Sequence, residues 1–168
     1  MAAYAEYHAP IVWGAERNLF PDIGCDRDAV FPASPGGFRY LNSGVCVAQT
    51  DAMLEALRHI GAADIQDDHK SADGTHDVNP NDQEMWLKAF VELEEPKVVP
   101  HNFGLWDMAL DIGCHIALNM HGVTPDDLDM SGERIRVKTT GAEPCVVHFN
   151  GASKTDGMLA TVLAKLGY

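Results

Sequence analysis

The chain has 168 residues, of which 46% are hydrophobic and 22% are charged, a composition typical of a globular protein. Its net charge of −13, with no cluster of Lys and Arg, excludes nucleic acid and anionic membrane surfaces as expected partners. No run of about 18 apolar residues occurs. The N-terminus also lacks the features of a signal peptide. We therefore expect no transmembrane helix, a cytoplasmic location by default, and a single domain over residues 1–168.

The four cysteines are far apart, and none forms the Cys-x-x-Cys pair of common zinc sites. We expect reduced thiols, with a disulfide as the open alternative. Cys46 and Cys145 lie in apolar surroundings, which predicts that both are buried as small hydrophobic residues.

The N-terminal third predicts a strand, a long loop and a second extended region. Residues 11–13 follow a proline and read as a short buried strand. Residues 17–37 are rich in Asp, Gly and Pro, and a loop of this length is typical of binding lids. Two short extended stretches then flank residues 42–44. The small residues of this Asn-Ser-Gly sequence allow close approach of a ligand, although the same sequence is also a common turn.

The middle of the chain predicts two helices with a polar connection between them. The first helix runs from Thr50 to about residue 60, with apolar residues at helical spacing and a glycine at its end. The second helix starts near Asp82. Between them, His69 and His76 lie among aspartates, which leaves a metal-hydrolase site as one alternative and a solvated connection as another. The seven-residue spacing of the two histidines matches no helix-face ligand pair.

The C-terminal region predicts short strands and a final helix. Residues 134–138 alternate polar and apolar side chains, as in a half-exposed strand. Residues 145–147 predict a buried strand that ends at His148, and Ser153 is a plausible N-cap for a helix from about Lys154. Strands and helices therefore alternate loosely along the chain, which predicts an α/β fold with a mixed sheet and flanking helices.

The segment from His148 to Lys154 has the residue types of a turn that holds a metal and a diphosphate. A glycine turn before a helix supplies backbone N–H groups, and Lys154 supplies a full positive charge. The neutral imidazole of His148 can bind a divalent metal. A single histidine after an apolar strand is also commonly structural, so this pattern alone leaves both interpretations open.

Several segments together resemble the glycosyltransferase domain of the procollagen lysyl hydroxylases and related collagen glycosyltransferases. In chain order they are Val12-Trp13-Gly14-Ala15-Glu16 with Pro21, Arg39-Tyr40-Leu41-Asn42-Ser43-Gly44, Asp82-Gln83, the weaker Leu110-Asp111 followed by Ile116, and Val147-His148-Phe149-Asn150-Gly151-Ala152-Ser153-Lys154. The resemblance covers roughly residues 10–160. It implies a GT-A-like fold and transfer of a hexose, glucose or galactose, from a UDP-sugar. The family uses Mn²⁺, and the acceptor is a hydroxylated or glycan group.

The resemblance implies roles for the C-terminal residues at the diphosphate. His148 is similar in position to the family's metal ligand, and Lys154 to the residue that contacts the diphosphate. Asn150 and Gly151 belong to the same cofactor-binding loop.

The resemblance also implies roles for two earlier segments. Asn42, Ser43 and Gly44 correspond to residues that line the donor sugar. Asp82 corresponds to the acidic residue that faces the sugar and the acceptor, with Gln83 beside it. A carboxylate near the sugar opposes the positive charge that develops there during transfer.

The chain departs from the family pattern at its beginning. The family's metal site also uses an aspartate–any–aspartate motif on an earlier strand, and no such strand precedes Ile11. We therefore expect a C-terminal half that lacks the nucleotide-binding half and is weakly active or inactive alone. A missing sheet neighbour predicts a homo-oligomer or an N-terminal partner chain. The alternative is a non-catalytic, carbohydrate-binding remnant or one partner of a split enzyme.

Overall fold

A computed structural model describes residues 2–31, 33–61, 82–94 and 107–167 of the chain. In these residues the strands form a mixed sheet with flanking helices, so the predicted α/β class is confirmed. The strands are β1 (Ile11–Glu16), β2 (Tyr40–Ala48), β3 (Met108–Asp111), β4 (Ala117–Asn119), β5 (Leu128–Asp129), β6 (Arg136–Val137) and β7 (Val146–His148). The helices are α1 (Ala2–Ala5), α2 (Arg27–Val30), α3 (Thr50–His59), α4 (Asp82–Glu94) and α5 (Met158–Leu166).

The sheet is built around β1, which pairs antiparallel with β2 and parallel with β3. Two shorter ladders accompany it, with β4 parallel to β7 and β5 antiparallel to β6. Helices α3 and α4 begin where the hydrophobic periodicity places them, so both helix predictions are confirmed. The predicted polar connection with His69 and His76 lies outside the described residues. None of the helices in the described part of the chain has the length and apolar character needed to span a bilayer.

Strand β1 is buried along its whole length because apolar side chains cover both of its faces. Trp13 points to the side of α3 and α4, where its ring lies 4.7 Å from that of Trp86 between centroids. Val12 points to the other side, towards Ile116 and Ala117. Alternate burial on two faces is what a strand between two packed layers requires.

Strand β2 contains a bulge where two separate extended stretches were predicted. Trp13 pairs with Cys46 but the next residue, Gly14, pairs with Asn42, so residues 43–45 have no partner on β1. The side-chain carbonyl of Asn42 accepts a hydrogen bond from the backbone N–H of Gly44 at 2.9 Å, which closes a local turn. The bulge therefore takes residues 43–45 out of the ladder.

The predicted burial of Cys46 and Cys145 is wrong, since both are exposed. The alternation of β2 after its bulge turns Val45 and Val47 towards apolar neighbours, which leaves Cys46 on the opposite face. Cys145 precedes β7, which pairs within the described residues only with β4 and is at most half buried. Apolar sequence neighbours alone did not indicate the side on which each thiol lies.

The final helix begins later than predicted. Gly151–Lys154 form a short 3-10 turn, in which the Ser153 hydroxyl donates to the backbone carbonyl of Asn150 and caps no helix. Gly157, with φ of 85°, then breaks the chain direction, and α5 starts at Met158. The predicted helix N-terminus at Lys154 is therefore wrong, and the α5 dipole does not support that residue.

Arg17, directly after β1, joins three loops. Its guanidinium donates to the backbone carbonyls of Gly36 and Gly122, each at 2.8 Å, and stands over the Phe38 ring at 4.7 Å. Both carboxylate oxygens of Asp127 accept from it at 2.8 and 2.9 Å. This guanidinium lowers the pKa of the Asp127 carboxyl well below its ordinary value of 3.8.

We expect Asp127→Asn to reduce the free energy of unfolding at neutral pH by about 1–2 kcal/mol, because a partly exposed, bidentate ion pair is lost. Asp127 stabilises the fold above its ordinary pKa, and this contribution disappears as pH falls through the lowered pKa. The difference between variant and wild type should therefore shrink as urea denaturation is repeated at pH values below 3.8. Asp126→Asn, on an exposed neighbour in the same turn, is the control and should have little effect. A constant difference across pH would contradict the ion pair.

Candidate functional site

A buried carboxylate, that of Glu16, lies where four distant parts of the chain meet. Its side chain is at the end of β1, and the residue is 2% exposed. One oxygen, Oε1, accepts hydrogen bonds from the amide nitrogens of Asn42 at 3.1 Å and Gln83 at 2.8 Å. The other oxygen, Oε2, accepts from the amide nitrogen of Asn150 at 2.9 Å. Glu16 therefore connects β2, α4 and the turn after β7.

The electrostatics of Glu16 combine two opposing effects. Burial raises the pKa of its carboxyl above the ordinary value of 4.5, whereas the three amide donors and the nearby His121 lower that pKa in part. Because Glu16 is almost fully enclosed, it is a positioning group and has little surface with which to contact a ligand directly.

The orientation of two of these amides is set by their second contacts. Asn42 accepts from the backbone of Gly44 through Oδ1, so its Nδ2 faces Glu16. Asn150 likewise accepts from the backbone N–H of His121 at 2.9 Å and donates to Glu16. Each amide thus uses both ends, which holds it in one orientation.

An exposed carboxylate, that of Asp82, lies at the first residue of α4. Its Oδ2 accepts from the hydroxyl of Ser43 at 2.9 Å, and Ser43 belongs to the β2 bulge. Its neighbour Gln83 contacts Glu16, so the start of α4 is fixed against the same centre. Unlike Glu16, Asp82 is open to a ligand.

The imidazole of His148 packs directly on the backbone of Gly44. A Cβ on Gly44 would overlap Cε1 of the ring and lie 2.8 Å from each ring nitrogen. The close approach that the sequence predicts at this glycine is therefore made by His148 itself. The ring nitrogen Nδ1 lies 2.8 Å from Oδ1 of Asn119.

The charge state of His148 follows from its surroundings. Burial, and then the positive charge of Lys154, lower its pKa from the ordinary 6.5. The imidazole is therefore neutral at neutral pH, the form that binds metals. Lys154 is exposed on the Gly151–Lys154 turn, near enough for its ammonium to act on the ring.

The presence of glycine at position 151 in this turn is explained by sterics. Gly151 has φ of 54°, and a Cβ there would lie 2.8 Å from the His121 ring. Another side chain at this position would be strained and would displace His121.

The structure brings the sequence-predicted residues into one neighbourhood through side-chain contacts. Three of them, Asn42, Gln83 and Asn150, contact Glu16. Two pairs complete the group, Ser43 with Asp82 and Gly44 with His148. Gly151 and Lys154 lie on the turn that follows.

The hydrolase alternative rests on His69 and His76, which lie outside the described residues.

Sequence reasoning gave no role to Glu16, Asn119 or His121. One signal could have found Glu16, since a charged residue that ends an apolar strand must find polar partners if it is buried. Asn119 and His121 carry no comparable signal, because their contacts are formed with residues distant in the sequence.

The residues around His148 fit a metal only as part of a larger ligand set. Among the described residues, no group of three or more His, Cys, Asp or Glu side chains could hold a metal ion. His148 itself offers one nitrogen ligand, and Mn²⁺ also accepts oxygen ligands from phosphate and carboxylate.

Neither a scan of protein-family models nor a search of curated protein sequences finds a match to this chain. The function of the site is therefore inferred from the contacts of its own residues and from the order of the segments that carry them.

Proposed function

We propose that the chain is part of a GT-A-like glycosyltransferase fold that binds a UDP-sugar with Mn²⁺. Its reaction is transfer of a hexose to the hydroxyl of a glycan or hydroxylated acceptor. The observation that supports this is the meeting of three resemblance segments on Glu16, through Asn42, Gln83 and Asn150. If His148 and the turn after it had only a structural role, amides from β2 and α4 would not need to be held in the same cluster.

The charges of the cluster suit the electrostatics of glycosyl transfer. In this reaction the sugar becomes positive as the diphosphate leaves with negative charge. We assign the exposed Asp82 carboxylate to the sugar and the Lys154 ammonium to the diphosphate, each opposing the charge that develops there. Asn42 is only 4% exposed and its amide is engaged with Glu16 and Gly44, so it positions the bulge. Ser43, which is hydrogen-bonded to Asp82, is assigned to the sugar hydroxyls. A bound divalent metal supplies further positive charge at the diphosphate.

We assign His148 as the one metal ligand that the described residues supply. Diphosphate oxygens, water or groups beyond the described residues would supply the remaining ligands. Because one imidazole binds a metal weakly, metal and UDP should each strengthen the binding of the other. This reciprocity is the sign of a shared site.

The proposal predicts that Asp82→Asn weakens the binding of a UDP-hexose more than the binding of UDP. We expect the Kd of UDP-glucose or UDP-galactose to rise about tenfold, because a charge-assisted hydrogen bond to the sugar becomes a neutral one, and the Kd of UDP to change less than about twofold. Isothermal titration calorimetry with Mn²⁺ measures both values. The matched control is Asp51→Asn, which alters an exposed carboxylate in the first turn of α3. Equal weakening of UDP and UDP-hexose would contradict the role of Asp82.

A second candidate is a carbohydrate-binding remnant or partner of a split enzyme without catalysis. It is favoured by the lack of a three-residue metal group among the described residues. Free hexose or glycan binding that is insensitive to EDTA would support it over glycosyl transfer.

We also propose a partner for the sheet edge at β3. Within the described residues β3 pairs only with β1, and Ile112 beyond its end is 42% exposed. An unpaired edge beside exposed apolar surface favours a homo-oligomer or a partner chain. A monodisperse monomer in light scattering across concentration would count against self-association.

A further inference from the structure

Asn119 is the least expected member of the cluster around His148. It is the last residue of β4 and is 0% exposed. In the parallel pairing of β4 with β7 it lies directly opposite His148, the last residue of β7. A buried side-chain amide must have partners for both of its ends, and these partners determine its orientation.

The contact with Ala15 shows which end of the Asn119 side-chain amide is the nitrogen and which is the oxygen. The backbone carbonyl of Ala15 can only accept, and it lies 2.9 Å from Nδ2 of Asn119. The amide nitrogen therefore faces Ala15, and the amide oxygen faces Nδ1 of His148 at 2.8 Å. Because that oxygen can only accept, the hydrogen in this contact belongs to Nδ1 of the imidazole.

We infer that Asn119 is a positioning residue that holds neutral His148 as the Nδ1–H tautomer and so leaves the lone pair of Nε2 available to a metal. The link to a metal rests on the proposed function, whereas the tautomer itself does not. A second hydrogen bond that fixes the tautomer and the ring orientation is the usual support for a metal-binding histidine.

The backbone of β1 makes room for this arrangement. A Cβ on Gly14 would lie 2.8 Å from Nδ2 of Asn119, so the glycine allows the amide to reach Ala15. Gly44 lies against Cε1 of the His148 ring, between the two nitrogens, and Asn119 contacts Nδ1, so within the described part of the chain Nε2 has no hydrogen-bond partner. Gly14 on β1 thus makes room for Asn119, and Gly44 on β2 makes room for His148.

The test is long-range ¹H–¹⁵N NMR of the full chain without metal, with ¹⁵N-labelled histidine. Spectra are recorded at about pH 8, where the imidazole is neutral. The His148 signals are assigned by their loss in His148→Gln, and the exposed His8 is the internal reference for an imidazole in water. We expect about a tenfold excess of the Nδ1–H form over the Nε2–H form at His148.

A predominance of the Nε2–H form in the wild-type chain would overturn the inference without any variant. If Asn119→Ala folds, His148 should lose its single tautomer and show both forms. Asn18→Ala is the control and should leave the tautomer unchanged, because Asn18 is a partly buried asparagine whose side chain donates to the backbone carbonyl of His121. Retention of the single Nδ1–H form in Asn119→Ala would also overturn the role of Asn119. Because these spectra need neither metal nor nucleotide, their outcome is independent of whether the chain binds a UDP-sugar.

Discussion

Glu16→Gln is expected to lower the free energy of unfolding by about 3 kcal/mol, because a buried acceptor is replaced by a donor. The wild-type carboxylate accepts from Asn42 and Gln83 on one oxygen and from Asn150 on the other. The new amide nitrogen has no lone pair to offer, so at least one of these donors loses its partner. Urea denaturation measures the change.

The substitution should also abolish ligand binding in the fraction that remains folded. Glu16 has little exposed surface, so this loss would come through displaced amides and not through a lost ligand contact. Glu133→Gln is the control, because it makes the same chemical change on an exposed side chain and should alter stability by less than about 0.5 kcal/mol. Equal stability of Glu16→Gln and Glu133→Gln would contradict the organising role of Glu16.

Gly44→Ala is expected to displace the His148 ring and lower stability by about 1–3 kcal/mol, since the added methyl overlaps a packed side chain. The backbone at Gly44 does not have a positive φ, so alanine is acceptable there except for this contact. Metal-dependent nucleotide binding should be lost as well. Thermal or urea unfolding, together with calorimetry, measures both effects.

A double-mutant cycle tests the contact between Gly44 and His148. Removal of the ring by His148→Ala removes the overlap, so Gly44→Ala should add little destabilisation in that background. Gly132→Ala is the control, because a Cβ there meets no atom within 4 Å and the φ of Gly132 is not positive. Additive losses from Gly44→Ala and His148→Ala would show that the two residues do not contact each other.

Local patterns predicted the elements whose stability depends on one apolar face. Helices α3 and α4 follow from apolar residues at helical spacing, and β1 from an apolar run after a proline. The end of α3 follows from Gly61, whose φ is 70°. These features depend on neighbouring residues, so a single sequence is enough to find them.

Features that depend on distant contacts were not predicted. Asn150 reaches Glu16 across 134 positions of the chain, and Asn119 reaches Ala15 across 104. The β2 bulge and the exposure of Cys46 depend on how β2 meets β1, which no local pattern records. The late start of α5 depends on the turn at Gly157, although Ser153 looked suitable as a cap. The candidate-site residues were predicted from the resemblance to a known family, and no local pattern predicts their contacts with one another.

In the proposed function, the cluster around Glu16 is a nucleotide-sugar site shared with a divalent metal. Calorimetric titration of UDP into the full chain, with Mn²⁺ and then with EDTA, tests it most directly, with UMP as the ligand that lacks the diphosphate. We predict UDP binding at least about tenfold tighter with Mn²⁺, loss of that difference in His148→Ala, and a smaller metal effect on UMP. Absence of UDP binding with Mn²⁺, or binding that EDTA and His148→Ala leave unchanged, would contradict the claim.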